Sequence, residues 1–261
     1  MECIAVDWSG ALTGAANRIW IATARGGELT GLVAPGSRDA VARVLLARRD
    51  DPSPVLVGLD FAFGMPAWYM AERGWTDVHA VWAAARDEGE AWLHRCAPPF
   101  WGRPGTTRPH PVLRGLRATE SGKLGWLQPK SVFQIGGAGS VGTGSIRGMP
   151  MLLALRAAGW AVWPFDASTS HTVVEIWPRH FTGPVVKRSA ETREAWLALE
   201  FPELPEPWRS TMAGSEDAFD AAIAAIGMSQ MPLADGLAMP ADPLSRIEGW
   251  IFEPVEPGPP R

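Results

Sequence analysis

Two apolar runs that each end in an aspartate constrain this chain more than any other feature. "CIAVD" closes on Asp7 and "VLVGLD" on Asp60, and neither run alternates apolar with polar residues. An unbroken apolar run of this length is a strand buried on both faces, the kind that lies inside a sheet covered by helices. In open sheets of that kind, ligands collect beyond the carboxyl ends of the strands. Both acids are therefore expected at a site.

The rest of the chain supplies the sheet and its cover. "RIWIATARG" and "GELTGLVAP" are rich in strand formers, with Gly26-Gly27 between them as a hairpin turn. "SRDAVARVLLARR" predicts a helix with Ser37 as N-cap and Val41, Val44 and Leu45 on its buried face. From Met65 to about Ser170 runs a long region rich in Trp, Pro, Gly and Arg. It has helices expected over Val78 to Cys96 and Met151 to Ala158, the second closed by Gly159. "WAVWPFD" and "HTVVEIWP" predict strands, Glu191 to Leu199 and "SEDAFDAAIAAIG" predict helices, and "IEGWIFEPV" predicts a short last strand. A meander followed by alternating helices and strands implies an α/β fold, a mixed sheet flanked by helices. The expected organisation is a core of 1–66 and 170–255, an inserted basic subdomain at 67–169 after the fourth strand, and a flexible tail at 256–261.

Charge is unevenly placed. The chain has 24 basic and 28 acidic residues, yet nine of the basic ones fall between Arg95 and Arg156, where Glu120 alone opposes them. Such a segment suits a polyanionic partner, with a solvated loop paired to acids elsewhere as the other reading. Cys3 and Cys96 make neither a disulfide framework nor a zinc pattern. No apolar run approaches the roughly 18 residues that span a bilayer. The first residues lack a basic stretch followed by an apolar one, so a cytoplasmic location without a membrane partner is expected.

The last long helix carries the other acids. Phe219, Ile223 and Ile226 form its apolar stripe, while Asp217 and Asp220, three apart, share a face in an alanine-rich stretch suited to close packing on a sheet. Gathered carboxylates repel one another unless a cation neutralises them. Hard divalent ions such as Mg²⁺ take oxygen ligands of this type, and a pair of them supports phosphodiester cleavage. Asp7 and Asp60 also admit a local reading as acceptors for turn amides, and Asp217 as a charge favouring its helix N-terminus.

Taken in order, "IAVDWSG", "VLVGLDFAFGMP", "VVEIWP", "EDAFDAAIAA" and "EGWIF" are similar to an uncharacterised family of predicted ribonuclease H-like nucleases, distant relatives of the Holliday-junction resolvases. The resemblance covers about 1–66 and 170–255, and "GAGSVGTGS" also looks like a segment of such proteins. It implies a ribonuclease H-like fold and a divalent-metal nuclease using one or two Mg²⁺ or Mn²⁺ ions. Asp7 matches the first-strand acid that bridges metals, Asp60 the acid ending the fourth strand, and Asp217 and Asp220 the acids of the last helix. Two departures stand out. A resolvase-type site carries glutamate where Asp60 stands, and the first helix offers only Asp39, at its start. Glu175 either compensates or points at solvent, and the second reading is preferred.

The glycines of "IGGAGSVGTGSIRG" suit close approach of a phosphate or structural turns equally, and they match neither a P-loop nor a dinucleotide fingerprint. Lys130 and Arg147 flank them as candidate phosphate contacts. Phe100, Trp101, Trp126 and Phe133 are interleaved with the basic residues and suit base stacking, with core packing as the alternative. The five histidines show no metal-ligand spacing, and His171 and His180 are the ones near a strand. The leading expectation is a divalent-metal nuclease that docks nucleic acid through the basic insertion. The alternatives are a non-catalytic ribonuclease H-like binding module and a nucleotide-binding phosphotransferase of the actin or sugar-kinase type. The latter shares a strand ending in aspartate but needs two such units.

Overall fold

The computed structural model describes residues 1–108, 110–111, 115–121, 129–137, 139–233 and 236–253. The expected tail at 256–261, together with Arg114, Lys123 and Trp126, lies outside them. The strands are β1 (Glu2–Asp7), β2 (Trp20–Arg25), β3 (Glu28–Val33), β4 (Val55–Leu59), β5 (Ala161–Val162), β6 (His171–Ile176) and β7 (Ile251–Phe252). The helices are α1 (Arg38–Leu46), α2 (Ala67–Glu72), α3 (Val78–Arg95), α4 (Ala118–Ser121), α5 (Val141–Ala157), α6 (Arg179–Thr182), α7 (Ala190–Glu200), α8 (Glu206–Gly214), α9 (Glu216–Ser229) and α10 (Ser245–Glu248).

The fold is α/β. One mixed sheet runs β3-β2-β1-β4-β6-β5, with β7 on β6. β1, β2 and β3 are antiparallel neighbours, and β2 turns into β3 through Gly26 and Gly27, whose φ of 60° and 88° fit the expected hairpin turn. β4 lies parallel to β1, and β6 parallel to β4. β5 and β7 both run parallel to β6, one pairing with its first half and the other with its end.

Each strand divides its side chains between two cores. Ile4 and Val6 of β1, Val57 and Leu59 of β4 and Val173 of β6 face a core completed by α1, α3 and α5. Cys3 and Ala5, Leu56, and Val174 and Ile176 face a second core with α7, α8 and α9. The segment expected as an insertion thus contributes α3 and α5 to the same core as β1 and β4. On the other face α9 lies across β1 and β2, where Ala5, Ala22 and Ala24 meet its alanines. Small side chains on both surfaces bring the helix close to the sheet, as its composition predicts.

Ser37 caps α1 as expected, accepting from the Ala40 amide at 3.1 Å. Val41 and Leu45 are buried, but Val44, at the margin of that stripe, faces solvent. A larger difference concerns α5. It begins at Val141, ten residues before the expected start at Met151, and takes in much of the glycine-rich segment. Glycine weakens a helix by about 1 kcal/mol relative to alanine, so propensity argues for a loop. Packing overrides it, because a Cβ at Gly142 would lie 2.1 Å from the Val132 carbonyl oxygen and one at Gly148 would lie 2.7 Å from the Phe61 ring. These glycines provide clearance between helix and sheet.

A buried ionic network ties 115–121 to the sheet. The Arg117 guanidinium donates to both oxygens of Glu175, at 2.8 and 2.5 Å, to Glu120 at 2.8 and 3.0 Å, and to the Glu248 carbonyl at 3.2 Å. Glu248 in turn accepts the amides of Ala67 and Ala118, both at 2.6 Å. Removing one member of a buried charge group leaves the others uncompensated, at a cost of about 3–5 kcal/mol. Arg117→Leu is therefore expected to lower unfolding free energy by that amount in urea titration. A loss below about 1 kcal/mol would show that water replaces the arginine.

Candidate active site

Asp7 and Asp60 meet because β1 and β4 run side by side in the same direction. The register pairs Val6 with Leu59, and the Asp60 amide donates to the Val6 carbonyl at 3.1 Å, so the two acids follow at the tips of adjacent strands. Asp7 shares strand parity with Cys3 and Ala5, which face α9. α9 starts behind the N-cap Ser215, whose side chain accepts from Ala218. It presents half-buried Asp217 in its first turn and buried Asp220 in its second.

The electrostatics record the proximity of these four groups. Burial is the main cause of a strongly raised pKa at Asp7, and the charges of Asp60, Asp220 and Asp217 raise it further. Burial, then Asp220, Glu175 and Asp217, push Asp60 up to about 8. Asp220 rises to about 6, chiefly through burial, although Lys187 pulls it down. Burial and Glu216 raise Asp217, against Arg18, Lys187 and Arg193. The local alternative for Asp7 is not what the fold uses. In the Trp-Ser-Gly turn it is Ser9 Oγ that accepts an amide, that of Ala11 at 3.3 Å, and no amide of that turn donates to the Asp7 carboxylate.

Lys187 is the charged partner of these acids that the sequence reading missed. Its ammonium donates to Asp220 Oδ2, while Asp220 Oδ1 is buried without a hydrogen-bond partner. It lies in the "PVVKRS" loop before α7, where no local pattern singles it out. Among the described residues, no three His, Cys, Asp or Glu side chains stand in place around a common metal position. The donor chemistry nevertheless fits a hard divalent cation. The acids offer oxygen ligands only, they repel one another, and one oxygen of Asp220 is unpartnered.

Glu175 does not point at solvent. It is 3% exposed and held by Arg117 and by the Phe63 amide at 2.9 Å. It pairs with Leu59 in the register and shares the face of Val173, opposite to α9, which commits it to the ionic network.

The loop after β1 is built into place. Arg38 donates to the Ser9 and Ala11 carbonyls at 3.1 and 2.9 Å, Trp8 Nε1 donates to the Gly144 carbonyl at 3.0 Å, and Arg147 donates to the Gly10 carbonyl. Gly10 is required here, since a Cβ would fall 2.4 Å from the Gly144 nitrogen. Arg147 also chelates Glu90 at 2.6 and 2.8 Å, so its guanidinium is a strut. Lys130 is exposed and borders a cavity of about 70 Å³ together with Asp60, Arg117 and Glu175. A wider cleft of about 540 Å³ lies between Ser9, Asp60, Ser140 and Thr143. A cavity of about 790 Å³ at the opposite pole, beside Met1, Pro54 and Ser170, holds none of the four acids.

The remaining candidates are distributed by packing. Phe100 and Phe133 are buried in an aromatic cluster with Tyr69, and Arg108 lies 5.3 Å over the half-buried Trp101 ring. Of the basic segment, Arg117, Arg147 and Arg156 are ion-paired, whereas Arg95, Arg103, Arg108 and Lys130 are exposed. His171 begins β6 opposite Val55, at the far end of the sheet from Asp7, and His180 packs edge-on against Trp177. No helix among the described residues is long and apolar enough to cross a membrane. No family model, no curated protein and no solved structure matches the chain.

The raised acids set a pH dependence. Between about pH 4 and pH 8 the folded chain holds more protons on Asp7, Asp60 and Asp220 than the unfolded chain does. Unfolding free energy therefore falls as pH rises through that window. The Tm of the metal-free protein is expected to drop from about pH 5 to about pH 8.5, with a shallower drop in Asp60→Asn. Identical slopes in both proteins would show that Asp60 titrates normally.

Proposed function

We propose that the protein is a divalent-metal-dependent phosphodiesterase acting on nucleic acid, on a ribonuclease H-like fold. One observation carries this reading: Asp7, Asp60 and Asp220 are brought together, with an unpartnered Asp220 oxygen, where turn and cap roles do not account for them. The ribonuclease H-like assignment draws support from the antiparallel β1–β3 meander, with β4 added parallel to β1 and β6 parallel to β4.

In this reading Asp7, Asp60 and Asp220 hold Mg²⁺ or Mn²⁺, and Asp217 adds charge at the rim. When bound, such an ion supplies a Lewis acid for the phosphoryl oxygens and a water activated at neutral pH. The chain's own residues do the positioning. The loop 8–11, fixed by Arg38 and Arg147, and the first turn of α5 shape the cleft above Asp60. Lys130 is exposed and lines the same small cavity as Asp60, which supports it as a phosphate contact, and Arg95, Arg103 and Arg108 are exposed basic residues of the same segment. The commitment of Arg147 to Glu90 and Gly10 removes it from that contact set.

The test is Mn²⁺-dependent cleavage of labelled single-stranded, duplex and branched nucleic acids by wild type and Asp7→Asn, with folding of both verified by circular dichroism. Cleavage by wild type, reduced at least about 100-fold in Asp7→Asn, is expected. Equal cleavage by the two proteins would remove Asp7 from the chemistry.

A further inference from the structure

Lys187 is a cation placed inside the carboxylate cluster, and the fold takes trouble to place it. Its carbonyl accepts from the guanidinium of Arg193, a residue 4% exposed whose other donors go to the carbonyls of Met212, at 3.2 Å, and Ala213, at 3.0 and 2.5 Å. Among the described residues, the hydrogen bonds of this buried arginine go to main-chain oxygens, clamping the loop before α7 onto the end of α8. The lysine side chain is 15% exposed and that of Asp220 is 11% exposed, so water screens the pair little. The ammonium contacts Asp220, and its charge also lowers the pKa of Asp7, Asp60 and Asp217.

Only one oxygen of Asp220 faces the lysine. Oδ1 is buried and unpartnered, a costly state for a carboxylate oxygen unless a further ligand is to meet it. An ammonium and a divalent ion repel each other and compete for the same oxygens, so a site that keeps the lysine has room for fewer metals.

Building on the metal reading above, we propose that Lys187 takes the place of a second cation, so that the cluster binds a single divalent ion with the free oxygen of Asp220 as one ligand. The ammonium then offers its remaining hydrogens to the phosphate group, a point charge that stays with the protein when the metal leaves.

Counting bound Mn²⁺ by calorimetry and by electron paramagnetic resonance tests this on the metal-free protein. Wild type and Lys187→Arg are expected to bind one ion. Lys187→Ala is expected to bind two, or one at least about tenfold more tightly. Lys187→Met, which keeps the aliphatic stem, serves if the alanine variant fails to fold. Two ions in wild type would overturn the inference and leave the metal reading intact. So would the same count and affinity in wild type and Lys187→Met. No uptake by wild type or by either variant would overturn both.

Discussion

The parallel pairing of β1 with β4 is the constraint on which the rest depends. An antiparallel neighbour would send Asp60 to the opposite end of the sheet from Asp7, and no helix placement would reunite them. Parallel pairing needs a crossover between the strands, which the chain supplies as β2, β3 and α1. Once β6 joins the same ladder, strand parity decides the fate of each acid. Asp7 follows the small residues that face α9, while Glu175 follows Val173 to the other face and meets Arg117. Two carboxylates with one strand between them thereby acquire opposite roles. One is left in a cluster of like charges, and the other is neutralised in a structural network.

Close backbone approach is the second theme, and it links the cores to the site. Alanines of α9 against Ala5, Ala22 and Ala24 bring Asp220 within electrostatic reach of the strand tips. Glycines do the same on the other face. Gly10 against Gly144 presses the loop after β1 onto the first turn of α5, and Gly142 and Gly148 seat that helix against Val132 and Phe61. The cleft above Asp60 is the space left between these contacts, so its shape depends on residues chosen for having almost no side chain.

Much of the fold was legible because strand identity rests on local pattern. The apolar runs of β1 and β4, the hairpin glycines, the Ser37 cap and the stripe of α9 each carry a short-range signal that survives in the structure. α5 was misplaced for a physical reason. Glycine's helix penalty is local, whereas the carbonyl oxygen of Val132 that forbids a side chain is a tertiary fact. Glu175 was the one avoidable error, since parity with Val173 in "TVVEI" already placed it on a buried face. Arg147 and Lys187 were beyond reach. Glu90, Gly10 and Asp220 lie 57, 137 and 33 residues away from them, and nothing in the local sequence marks such partners.

The contrast between the two groups of buried charge separates the readings of the protein. Around Arg117 every carboxylate oxygen of Glu120 and Glu175 accepts a hydrogen bond, as expected of a network kept for structure. Around Lys187 the balance is different. Acids that raise one another's pKa share a single ammonium, and a buried oxygen has no partner. This arrangement costs stability, because replacing such acids by asparagine would relieve repulsion at no cost in packing. Retaining the repulsion makes sense where a cation or a proton is to be received, and the same strain that destabilises the empty cluster strengthens its hold on an incoming positive charge. The basic segment shows no comparable strain, since Arg117, Arg147 and Arg156 are each paired with a carboxylate.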